Sequence, residues 1–220
     1  MRFAVFLFAI CLAGLDAQAQ VVPGAEANDP SDAKAPAECI EDREAYFSLD
    51  FWTFDQDHER GHRAVARKPG CELDAADLIR DYHARLRAIG EPVTFVYEGR
   101  EVTMSETGEV SLLYWHEGQT RAFEGQTSQA IELFRLSLKP EQENHGAWNE
   151  YALASIAFLK NDLPGLKRQR SAMADSQPET SINLGVVDSL IECFGATYQK
   201  AYGSDECNRR PGWDSTESAD

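Results

Sequence analysis

The stretch DQDHERGH gathers Asp55, Asp57, His58, Glu59 and His62 within eight residues. Carboxylates and imidazoles at that density are the raw material of a metal site or of acid–base chemistry. His58 and His62 stand four apart, so on a helix they share a face and could hold a metal together with an acid. A calcium loop of the EF-hand kind is excluded, because its sixth position must be glycine and Arg60 stands there. A polar turn that caps a helix accounts for the same residues without a ligand. Asp55 would then be the capping or turn residue and Arg63 its ion-pair partner. The acidic turn from Asp55 to His62 is also where an enzymatic reading would sit, as a metal-dependent hydrolase.

Other chemistries leave weaker traces. HEGQT, from His116 to Thr120, lacks the second histidine of the H-E-x-x-H zinc motif. Glu117 and Glu124 lie seven apart on one helix face and could act as paired carboxylates. Solvated surface acids are far commoner in a chain with 37 Asp and Glu. There is no G-x-S-x-G, no P-loop and no dinucleotide-binding glycine pattern. Lys160, Lys167, Arg168 and Arg170 form one basic cluster, and a solvated helix face is its default reading. No catalytic residue, metal ligand or cofactor is assigned from these patterns.

The elements that must position such residues begin after the first segment. MRFAVFLFAICLAGLDAQAQ carries Arg2, an apolar run and the small-x-small pattern Ala17-Gln18-Ala19. This reads as a secretory signal peptide over residues 1–19. The run is shorter than the roughly 20 apolar residues that span a bilayer. No later stretch is long and apolar enough to do so. Residues 20–38 read as a disordered lead-in, residues 39–207 as a single α-helical domain, and residues 208–220 as a disordered acidic tail. The net charge of −16 argues against nucleic acid and anionic lipid as partners. The expected location is the periplasm or the exterior of a bacterial cell.

Removal of Cys11 with the signal leaves Cys39, Cys71, Cys193 and Cys207, an even number in an exported chain. No CxxC spacing and no clustered histidine points to zinc, so two disulfides are expected. A helical hairpin over residues 43–68 would return the chain beside Cys39, and Cys207 follows the helix that carries Cys193. This favours Cys39–Cys71 with Cys193–Cys207. A Cys39–Cys207 bridge tying the two ends is the rival.

The periodicity predicts a mainly α protein. Helices are expected near 43–55, 60–68 and 74–89, the third with Asp74 as its N-cap and Gly90 at its end. Residues 93–110 break the helical period and alternate instead, which predicts a small β-hairpin turning at Glu98-Gly99 or Thr107-Gly108. Further helices are expected near 111–124, 127–138, 147–161, 163–174 and 182–202.

Within WHEGQTRAFEGQTSQAIELF, an aromatic (Tyr114), a helical glycine (Gly118), a turn glycine (Gly125) and Ala130-x3-Phe134 follow in order. This order resembles the tetratricopeptide repeat. A second unit follows 36 residues on, aligning Gly118 with Ala154, Gly125 with Asn161 and Ala130 with Leu166. Glu117 and Arg121 depart from the family pattern, and the second unit has Arg170 where the first has Phe134. The resemblance covers residues 111–176, about a third of the mature chain. FDQD, GC, AADLIRDY and WHEGQ together also resemble a group of exported bacterial proteins, which implies no particular activity. The tetratricopeptide resemblance implies a short array of antiparallel helix hairpins. It also implies a concave groove for a protein or peptide, lined by Trp115, Gln119, Phe123, Trp148, Tyr151 and Ser155. The expected role is binding or scaffolding in the cell envelope. The same resemblance also allows the terminal helices to fill the concavity and make those residues core, leaving a structural accessory domain.

Overall fold

The computed structural model describes residues 38–90, 92–104 and 110–211. The expected signal peptide, nearly all of the lead-in, the turn at Thr107-Gly108 and the tail beyond residue 211 lie outside the described residues.

The chain is mainly helical with one two-stranded antiparallel sheet. Two aspartates set the start. Asp42 caps α1 (Arg43–Phe47) and Asp50 caps α2 (Phe51–Gln56), each accepting the backbone N–H three residues on, at 3.2 and 3.1 Å. The single helix expected over 43–55 is therefore two. A strong N-cap at Asp50 forces extended backbone there, and the first helix ends just before it. Gly61 then lets the chain fold back across α2: a Cβ there would lie 2.2 Å from the Phe54 carbonyl oxygen. α3 (His62–Ala66) follows, and α4 (Glu72–Ile89) begins after Cys71 rather than at Asp74. Asp74 lies in the first turn of α4, where its charge suits the helix dipole. Gly90, at φ 68°, closes α4 in the left-handed conformation.

β1 (Val93–Tyr97) and β2 (Arg100–Met104) pair through Tyr97 and Arg100, turning at Glu98-Gly99. Both turn residues have positive φ, as tight hairpins require. Phe95 packs on Phe51 and Trp52 of α2, which fixes the hairpin to the body.

α5 (Val110–Phe123) and α6 (Thr127–Leu136) form one helix hairpin; α7 (Trp148–Leu159) and α8 (Leu163–Ala174) form the next. Their turns repeat the same backbone geometry 36 residues apart. Gly125 (φ 72°) and Asn161 (φ 61°) are both left-handed. Gln126 N–H donates to the Arg121 carbonyl as Asp162 N–H does to that of Ala157, each at 2.8 Å. Those are the closing bonds of Schellman caps. Gly118 lies against the Phe134 ring, where a Cβ would approach to 2.9 Å. At Arg170, the counterpart of Phe134, packing gives way to a bidentate ion pair with Asp188 at 2.8 and 3.0 Å.

α9 (Ile182–Glu192) and α10 (Tyr198–Gly203) replace the single helix expected over 182–202. Gly195 is left-handed (φ 91°) and Thr197 caps α10. Residues 208–211, read from sequence as the start of a disordered tail, are held to the body: Arg209 N–H donates to Ser189 Oγ at 2.8 Å. Gly185 makes room for this return, since a Cβ there would meet Arg210 Cα at 2.6 Å.

Both disulfides favoured on sequence are present, Cys39–Cys71 and Cys193–Cys207. The core has two clusters. One joins Phe51, Phe54, Val65, Ile79, Phe95 and Leu113; the other joins Trp115, Phe134, Tyr151, Leu166, Leu184 and Tyr198. α5 contributes to both, and Arg121 on it reaches Asp77 of α4 at 2.6 Å.

Candidate functional site

Asp55 from α2, His62 from the first turn of α3 and His116 from α5 converge in the interior. The Asp55 side chain is 0% exposed. His116 Nδ1 donates to its Oδ1 at 2.6 Å, and the Gln56 amide donates to Oδ2. His62 Nε2 lies 3.1 Å from the Asp55 carbonyl oxygen and 3.5 Å from Oδ1. The Arg63 Nε donates to the same carbonyl at 2.7 Å, and its Nη2 approaches His116 Nε2 to 3.4 Å.

Burial alone would raise the pKa of Asp55, but the charge and hydrogen bonds of His116 and His62 outweigh it and hold the carboxyl well below the usual range. Burial pushes the pKa of His62 down, with Asp55 only partly opposing. His62 Nε2 faces the Asp55 carbonyl, and its buried Nδ1 has no partner among the described residues. His116 lies between Asp55 and Arg63, with Nδ1 on Asp55 Oδ1 and Nε2 facing Arg63.

Three chemistries suit this arrangement to different degrees. The Asp55–His116 pair is the geometry by which a carboxylate orients an imidazole for proton transfer at the far nitrogen. The trio also brings one ligand atom from each residue within 4.8 Å of the others, close enough to be drawn around a metal ion. The donor set opposes that use. A metal on His116 Nδ1 would move the ring proton to Nε2, where it would face the Arg63 guanidinium, donor against donor. Third, the network ties α2 and α3 to α5 and so serves the fold.

A cleft of about 300 Å³ opens beside the trio. His62, Arg63, Arg67, His116, Gln119 and Phe123 line it, with Glu72 as its acid. A second cavity of about 630 Å³ lies at the turns of the two hairpins, next to Gly125 and Asn161, and shares Phe123 and Gln199 with the first.

The expected pairing of His58 with His62 does not form. His58 is exposed, and the partner of His62 in this cluster comes instead from His116, on another helix. Asp55 is not the cap of a polar turn; that role falls to Asp57, which accepts from the backbone of Glu59 and Arg60 and from the Arg60 side chain. Arg63 meets Asp55 through the carbonyl rather than as an ion pair. His116 was missed because HEGQT shows only half of a zinc motif, and no local spacing links it to a residue sixty-one positions away. Of the other acids, Glu117 is buried against Arg121 at 2.8 Å while Glu124 is exposed, so they form no pair.

The six expected groove residues separate. Trp115 is 3% exposed and stacks on Phe134; Tyr151 and Ser155 are also buried, and Tyr198 of α10 donates its hydroxyl to Ser155 Oγ at 3.1 Å. Trp148 is half-buried, with its Nε1 donating to the Ser137 carbonyl at 2.8 Å. α9 packs against α7 and α8, and α10 against α5, so the same core cluster takes in these residues. Gln119 and Phe123 line the cleft beside the trio, and Phe123 lines the second cavity as well.

Comparison with protein-family models, with curated proteins and with solved structures gives no match.

Proposed function

We propose that this is an exported bacterial protein of tetratricopeptide-like design that binds a protein or peptide partner in the cell envelope. On this reading the partner enters the cleft bounded by α3, α5 and α10, not the aromatic concavity first expected. The observation that carries the proposal is the position of Gln119 and Phe123. They lie on the face of the first hairpin helix that repeat proteins of this kind turn toward a ligand, and they line open space while their neighbours are covered. The two disulfides, and the lack among the described residues of a helix able to cross a membrane, suit an oxidising, extracytoplasmic setting.

The test is site-specific photocrosslinking in intact cells. A photoreactive residue at Gln199, exposed beside the cleft, should capture a discrete partner; the same residue at exposed Gln129 on α6 should not. Equal labelling from both positions, or none from Gln199, would refute the proposal and leave a structural accessory domain.

A metal-dependent hydrolase is the second reading, favoured by the convergence of Asp55, His62 and His116. Stoichiometric zinc or iron in the purified protein, lost in His62→Ala, would establish it over the binding role.

A further inference from the structure

The cleft beside the histidines has an unbalanced chemistry. Arg63 on α3 and Arg67, which caps that helix, stand four residues apart and both line it. Neither forms an ion pair among the described residues, although the chain has 37 acidic side chains against 21 basic ones. Elsewhere arginines find carboxylates readily: Arg43, Arg60, Arg80, Arg85, Arg121 and Arg170 all do. Arg63 instead spends Nε and Nη2 on a carbonyl and an imidazole, and Arg67 spends Nη2 on the His58 carbonyl. Each therefore keeps donors over.

The buried polar atoms point the same way. The Gln119 Nε2 amide, also on the cleft wall, is buried without an acceptor among the described residues. A buried donor left unmade costs about 1–3 kcal/mol, so such groups are normally matched by something. The Asp55 carboxylate is already engaged by His116 and Gln56, and Arg63 reaches only its backbone carbonyl. Glu72 is the only acid on the lining.

We infer that this cleft is a receptor for a carboxylate, held by Arg63 and Arg67 with the Gln119 amide as a neutral donor. A guanidinium offers a planar fork that matches the two oxygens of a carboxylate. A singly charged group suits the site better than a phosphate dianion, because Glu72 and the net charge of −16 oppose a second negative charge. The carboxylate can belong to a free organic acid or to the C-terminus of a peptide. The inference stands apart from the partner-binding proposal, since a free acid needs no protein partner.

The experiment follows the side-chain N–H signals of Gln119, Arg63 and Arg67 by NMR in the whole mature protein. The probes are sodium acetate, a tripeptide with a free C-terminus, the same tripeptide amidated, sodium phosphate and zinc chloride, at fixed ionic strength. Acetate or the free tripeptide should shift these signals saturably, with half-saturation on the order of millimolar, and the amidated peptide should not. A response to acetate equal to that of the tripeptide assigns a free acid; a much tighter tripeptide response assigns a chain terminus. Arg67→Gln, at an exposed position, should weaken the response about tenfold. Gln119→Glu, which keeps the volume but adds a charge, should abolish it. The inference is overturned by unsaturable shifts equal for acetate and chloride, by a stronger response to phosphate, or by stoichiometric zinc uptake in place of anion binding.

Discussion

His83 shows what burial does to an imidazole that no carboxylate rescues. It is almost fully buried on α4, edge-on to the Tyr114 ring at 4.3 Å, with Nε2 unpartnered among the described residues. Burial, aided by the positive charge of Arg87, pushes its pKa down to about 4. The unfolded chain takes up a proton at this position near the ordinary histidine value of about 6.5, and the folded chain does not. Stability at His83 is therefore whole above about 6.5 and falls as pH drops toward about 4, by roughly 3 kcal/mol across the window. Urea midpoints measured from pH 7 to 4 should drop steadily, and the slope should flatten in His83→Leu. An unchanged slope in that variant would show that other groups set the acid limit. The contrast with His116 marks how far single residues could be read from the chain. DQDHERGH suggests His58 as the companion of His62 and Asp55 as a cap, whereas His62 meets Asp55 and His116, the last on a helix whose approach depends on tertiary packing.

At the scale of elements, periodicity located nearly every helix and the hairpin, but left two sites for its turn, of which Glu98-Gly99 forms it. It failed where a local cap competes with a continuous apolar stripe. The stripe through Leu184, Val187, Ile191, Phe194, Tyr198 and Ala201 runs unbroken in sequence, yet Gly195 and Thr197 split it into α9 and α10. Similarly, Asp50 divides the first helix. A side-chain cap contributes about 1 kcal/mol, enough to decide a boundary that burial leaves nearly neutral. The two glycines of the first hairpin separate packing from backbone conformation. Gly118→Ala would drive a methyl into the Phe134 ring and should cost about 1–3 kcal/mol. Gly125→Ala meets nothing within 4 Å and is opposed only by its left-handed backbone, so it should cost about 1 kcal/mol. Thermal denaturation of the two variants should rank them in that order. The sequence left Trp115, Tyr151 and Ser155 open between groove and core; all three are buried, and α10 covers two of them, with Tyr202 on Tyr151 and Tyr198 on Ser155.

For the whole molecule, each disulfide serves a different part of the core. Cys39–Cys71 belongs to the cluster around α2–α4, while Cys193 packs against the cluster of the two hairpins. They enclose segments with sequence separations of 32 and 14, so chain-entropy reasoning gives the first about 4 kcal/mol and the second about 3. Replacing each pair by serines should lower the guanidinium midpoint in that order, and a larger loss at the second pair would mean that its native-state contacts outweigh loop closure. The pairing also bears on biogenesis. Of the four bonded cysteines, 39 and 71 leave the ribosome first and join each other; 193 and 207 leave last and do the same. A thiol oxidase acting on the chain as it emerges would thus reach the correct connectivity without ever reshuffling a wrong bond, and maturation should proceed undiminished in cells that lack a disulfide isomerase.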